Sequence, residues 1–83
     1  MKIILSPQAQ KQYKKIGAKE KPKVNRKIDQ LAIDPLMGKA LQGDYKVAFA
    51  IRAWPLRIIY TFNPDSQTIE ILTIDYRGNV YKN

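Results

Sequence analysis

The sequence predicts an α+β domain in the order βααβββ, with a two-helix hairpin packed on one face of an antiparallel sheet. Three observations carry this. Apolar residues recur at helical spacing up to residue 32, the period changes to two from Tyr45 onward, and two short turn-forming clusters divide the second half into three strands. At 83 residues the chain cannot divide its core without leaving both parts marginal, so residues 1–83 read as a single domain.

The first strand is Lys2-Ile3-Ile4-Leu5, bounded by Ser6-Pro7. Serine is a good N-cap, and proline fits the first helical position because its missing N–H is not needed there. Ala9, Tyr13 and Ile16 then follow at i, i+4 and i+7, and Gly17 supplies a C-terminal stop. The second helix starts near Lys19 to Pro22. Val24, Ile28, Leu31 and Ala32 form its apolar stripe, Lys23, Arg26, Lys27 and Gln30 face water, and Asp34-Pro35 ends it. Residues 35–44 read as a loop crossing from the helices to the sheet.

In the second half Val47, Phe49 and Ile51 alternate with Lys46, Ala48, Ala50 and Arg52. A turn at Ala53-Trp54-Pro55-Leu56 leads to the strand Arg57 to Phe62. A turn at Asn63-Pro64-Asp65-Ser66 leads to a strand from Thr68 to Asp75, rich in β-branched residues. Consecutive strands joined by short turns make an antiparallel meander, and helices that precede it cover one face. Tyr60 falls on the core side, Tyr45 at a strand edge, and Trp54 is expected to cover its turn.

Composition removes several chemistries. The chain has no cysteine and no histidine, which excludes disulfides, thiolate nucleophiles, Cys/His zinc sites and imidazole catalysis. The seven carboxylates show no DxD or ExxH spacing, so neither a metal site nor a cofactor is expected. No apolar run approaches the ~18 residues of a membrane span, and the N-terminal run is too short for a signal peptide, so the expected location is the cytoplasm. The net charge of +8 points to a polyanionic partner. Residues 1–43 hold ten Lys/Arg against Glu20, Asp29 and Asp34, a balance of +7 that leaves +1 for the rest.

If Arg52 and Arg57 oppose each other across the first hairpin, they share the uncovered sheet face with Lys46 and Thr61. Two guanidiniums side by side repel unless an anion lies between them. The bland alternative is a pair of solvated arginines matched with Asp75 or Glu70. The functional one adds the ending Asp75-Tyr76-Arg77-Gly78-Asn79-Val80-Tyr81-Lys82, whose Arg77 and Tyr81 would join the same face. Such a surface suits a phosphodiester, since arginine pairs with nonbridging oxygens and tyrosine offers both a stacking surface and a hydroxyl.

The segments Leu41-Gln42-Gly43, Ile51 to Tyr60 (IRAWPLRIIY) and Ile74 to Lys82 (IDYRGNVYK) resemble the RelE/ParE superfamily of type II toxin–antitoxin toxins. Members commonly show a Leu-x-Gly before the first hairpin, a Tyr-Arg-Ile-Ile-Tyr-like strand and an Ile-x-His-Arg-x-x-Val-Tyr-like ending. The resemblance implies a toxin neutralised by a cognate antitoxin. RelE-like members enter the ribosome and cut mRNA there without a metal. Carried over by position, Arg57 would hold the scissile phosphate, Arg77 would stabilise the leaving side or act as acid, and Tyr81 would stack on or orient the substrate. Arg52, Lys46 and Tyr76 are the expected substrate contacts. Two departures stand out: Ala48 and Ala50 occupy positions where some RelE nucleases carry lysine, and Tyr76 stands where many members have histidine. ParE-like members share the fold and poison DNA gyrase instead, which is the alternative function. A basic nucleic-acid-binding module without catalysis is the third.

Overall fold

The computed structural model describes residues 1–41 and 48–76. Strand β1 (Lys2–Leu5) leads into helix α1 (Pro7–Lys15), followed by α2 (Lys21–Ile33), β2 (Lys39–Leu41), β3 (Ala48–Ala53), β4 (Leu56–Asn63) and β5 (Thr68–Tyr76). The strands form one five-stranded sheet in the order β1-β5-β4-β3-β2. No helix among the described residues is long and apolar enough to cross a membrane.

The predicted α+β layering is present, with two helices on a sheet whose last three strands form an antiparallel meander. Two features differ from the sequence expectation. Residues 39–41, read as part of a loop, form a short strand antiparallel to β3. Three residues are too few to show a period, so this pairing leaves no pattern in the sequence. The sheet is also mixed, because β1 runs parallel to β5. These two strands come from opposite ends of the chain, so no tight turn between them imposes an antiparallel direction.

Local chemistry explains the helix starts. The Ser6 hydroxyl accepts the Ala9 N–H at 3.0 Å, as its N-cap position requires, and donates to the Leu72 carbonyl at 2.7 Å. The cap is thereby also a tie to the sheet. Helix α2 begins after Glu20 with Pro22 in its first turn, and it ends at Asp34, whose carboxylate accepts the Leu36 N–H at 3.3 Å.

The core lies between helices and sheet. Val24 and Leu31 from α2 and Ala9 from α1 meet Leu56, Ile58 and Tyr60 of β4 and Ile69, Ile71 and Ile74 of β5, all essentially without solvent contact. Phe49 and Tyr60, opposite each other on β3 and β4, stack with ring centroids 5.4 Å apart. Strand β5 carries a bulge: Ile59 pairs with Thr73 but Tyr60 pairs with Ile71, which leaves Leu72 as the extra residue. Inward positions therefore change from 69 and 71 to 74 and 76. Beyond the short β1, the outer edge of β5 is finished by α1, where the Gln12 side-chain carbonyl accepts the Ile74 N–H at 2.7 Å and the Thr73 hydroxyl at 3.0 Å.

Candidate functional site

The register settles which groups share the uncovered sheet face. Arg52 of β3 is directly opposite Arg57 of β4, and Arg57 is opposite Asp75 of β5, so one row reads Arg52, Arg57, Asp75 across three strands. Opposed side chains on one face have Cβ atoms roughly 4.5–5.5 Å apart. Arg52 is exposed and Arg57 half-buried. The one ion pair among the described residues is Lys23 with Glu20, at 3.6 Å. The pairing of these arginines with Asp75 or Glu70 that the bland alternative required is therefore not formed at ion-pair distance.

The next row holds Lys39, Ala50, Ile59 and Thr73, and the one after it Ala48, Thr61 and Glu70. Sequence reasoning missed Lys39. It stands opposite Ala50 on the same face, and only the unforeseen strand β2 puts it there. Short side chains at 48, 50 and 73 leave a low floor with cations along one border. No group of three or more acidic side chains able to hold a metal occurs among the described residues.

Tyr76 does not join this face. It opposes Leu56, packs against the core, and its hydroxyl accepts the Gly17 N–H at 3.5 Å. The bulge at Leu72 is the physical reason, since the shifted alternation turns Asp75 outward and Tyr76 toward the helices. Tyr76, expected to be a substrate contact, thus lies apart from the row that holds Arg52 and Arg57. Lys46, Arg77 and Tyr81 lie outside the described residues, as do Tyr45 and Val47.

Trp54 also departs from expectation. It does not cover its turn but stands 65% exposed at the apex of the β3–β4 hairpin. Beside it, α2 and the hairpin border a groove of about 570 Å³ lined by Lys23, Arg26, Lys27, Gln30, Arg52 and Trp54. Arg52 thus stands where the groove meets the open sheet face. A hollow of about 510 Å³ near the β4–β5 turn, lined by Thr61, Asn63, Thr68, Glu70 and Leu72 among others, has no cation in its lining and carries the Glu70 carboxylate, which opposes an anion.

Tyr60 is structural, as its core position predicted. Its hydroxyl donates to the Pro35 carbonyl at 2.9 Å and accepts the Gly38 N–H at 3.0 Å. Burial pushes its pKa up; the Gly38 hydrogen bond opposes this and the Asp34 charge adds to it.

Comparison with solved structures finds the same fold repeatedly. A RelE–RelB complex from the archaeon Pyrococcus horikoshii OT3 matches with a TM-score of 0.80 at 20% identity, over 93% of this chain and 94% of that one. The toxin–antitoxin complex RelBE2 from Mycobacterium tuberculosis matches with a TM-score of 0.82 at 23% identity, over 92% and 96%. A YoeB dimer from Staphylococcus aureus gives 0.77 at 22% identity, over 92% and 95%. No curated protein sequence matches. Identities this low establish the fold alone. The family is established separately, by a model of the ParE-like toxin of type II bacterial toxin–antitoxin systems that matches residues 3–83. Fold, register and family model agree, and the chain belongs to the ParE-like toxins of type II bacterial toxin–antitoxin systems.

Proposed function

We propose that this toxin is a metal-independent endoribonuclease that cuts mRNA on the ribosome and so inhibits translation, and that a cognate antitoxin holds it inactive. The observation that carries the proposal is the opposed pair Arg52 and Arg57 on the open face, neither in an ion pair among the described residues, over a floor of short side chains. Like charges held opposite each other raise the energy of the sheet by themselves, and a bound phosphate removes that penalty. The antitoxin follows from the family, and solved relatives such as the archaeal RelE–RelB pair are complexes of that kind.

In this scheme the substrate's own 2′-oxygen attacks the adjacent phosphorus. Its proton passes to a base, the P–O5′ bond breaks, and the 5′-oxygen receives a proton, leaving a 2′,3′-cyclic phosphate and a 5′-hydroxyl. Arg57 holds the nonbridging oxygens through the charged phosphorane. Arg77 follows Asp75 by only two residues, at most about 7 Å of extended chain, and is proposed to serve the leaving oxygen. Tyr81 is proposed to orient a base by stacking, and Lys46, Lys39 and Arg52 to hold neighbouring phosphates.

The test is a translation extract in which mRNA 5′ ends are mapped. Wild-type protein should produce cuts within translated codons. Arg57→Ala and Arg77→Ala should each reduce them roughly 100-fold or more, the scale of losing one transition-state donor. Arg57→Ala should leave stability within about 0.5 kcal/mol, since it also removes a repulsion. Intact transcripts under conditions that arrest growth would reject the nuclease. A second reading has its own support: Ala48 and Ala50 put no lysine on β3's open face, and Tyr76 faces the helices, so the positions at which the family pattern places lysine and histidine supply no base to that face. That favours a ParE-like gyrase poison, which should trap cleaved DNA with purified gyrase while translation continues.

A further inference from the structure

We propose that the groove between α2 and the β3–β4 turn binds a single-stranded polynucleotide, with one base stacked on Trp54 and its phosphates on Arg26, Lys27 and Arg52. This site shares Arg52 with the phosphate contacts proposed for cleavage but uses none of Arg57, Arg77 and Tyr81, so it stands whether or not the protein is a nuclease. Lys23, Arg26, Lys27 and Gln30 recur at helical spacing, so successive turns of about 5.4 Å carry them in a row along one side of α2. Arg52 lines the same groove from β3, and no carboxylate lines it. Glu20, at the N-cap of α2, is matched by Lys23 at 3.6 Å. Among the described residues Arg26, Lys27 and Arg52 form no ion pair, which leaves them to meet an anion.

The indole decides between polyanions. Lys23 reaches the Trp54 carbonyl at 3.4 Å, which ties the hairpin apex to the helix and places the largest side chain of the protein at the groove, 65% exposed. Leaving that much apolar surface in water is unfavourable, and the arrangement gains from a flat ligand that covers it. A nucleobase does so while its phosphates meet the flanking cations, the combination by which single strands are held without reading sequence. An acidic peptide would engage the cations and leave the indole uncovered. A duplex keeps its bases stacked inside and has none to offer.

Trp54 is the only tryptophan, so its fluorescence reports this site alone. Titrating the full chain with oligo-uridylate and oligo-thymidylate should quench it, with similar affinities for both because nothing here reads a 2′-hydroxyl. Trp54→Ala, followed by polarisation of a labelled oligonucleotide, should weaken binding roughly 10- to 100-fold. Removing three cations together, in Arg26→Ala/Lys27→Ala/Arg52→Ala, should reduce the slope of log affinity against log salt by about 2. Lys11→Ala, on α1 away from the groove, should leave quenching as it is, which separates this site from net charge. Absence of quenching, equal quenching by oligo-glutamate, or an unchanged salt slope in a triple variant with wild-type circular dichroism would each overturn the proposal.

Discussion

Gly38 and Tyr60 meet at the point where the chain leaves the helices for the sheet. A Cβ on Gly38 would lie 2.6 Å from the Tyr60 hydroxyl oxygen and 3.0 Å from the Ala50 carbonyl, neither of which can withdraw without breaking a hydrogen bond. Gly38→Ala should therefore cost about 1–3 kcal/mol in denaturant unfolding. Adding Tyr60→Phe removes the closer obstacle, so the double variant should be less destabilised than the sum of the singles; strict additivity would contradict the contact. The same phenol has an alkaline signature. Its folded pKa is raised above the ordinary value near 10, so the unfolded chain ionises first. The stability it contributes is complete below about pH 10 and is lost as pH rises through the folded value. Tyr60→Phe should flatten the fall in denaturation midpoint above about pH 10, and an unchanged fall there would contradict this linkage. Of the candidate site, the sequence made the Arg52–Arg57 juxtaposition legible, because a four-residue turn fixes which residues oppose. It did not reveal Lys39 or the inward turn of Tyr76, which depend on a distant pairing and on a bulge.

Elements whose signals are local were readable. Ser6-Pro7 marked the start of α1 because cap and proline act within one turn, and Asp34-Pro35 marked the end of α2 for the same reason. The bulge at Leu72 was not, because it resides in the relation of β5 to β4 and to α1. Gln12, which lies on helix α1 and reads as an ordinary helix surface residue, serves as a substitute strand for the Ile74 N–H. Gln12→Ala should cost about 1–3 kcal/mol by leaving that donor without its partner. Gln12→Glu, which keeps an acceptor, should recover most of the loss in thermal unfolding. Equal destabilisation by both would show that packing, not hydrogen bonding, finishes this edge.

At the scale of the molecule, charge is distributed against stability. The balance of +7 over residues 1–43 concentrates like charges on the helical half, and the open sheet face adds Arg52 opposite Arg57. Self-repulsion of this kind is weakened by salt, since the Debye length falls from roughly 30 Å at 0.01 M to roughly 8 Å at 0.15 M. The thermal midpoint should rise over that range, and a multivalent anion such as sulfate should raise it further; a fall would mean that attractive pairs dominate. The predicted layering survives this imbalance because the core positions are fixed by apolar periodicity, in which charge has no part.

The parallel pairing of β1 with β5 sets an order of assembly. Lys2, Ile3, Ile4 and Leu5 are made long before their partners Thr68, Ile69, Glu70 and Ile71. Until those partners have been synthesised, the opening segment has no neighbour in the sheet, and β4 has Arg57 without Asp75 beside it. Closure of a loop this long is slow and comes late in folding. A toxin built this way cannot complete its sheet until β5 has been made, and shortening the chain before Thr68 removes the seat of β1.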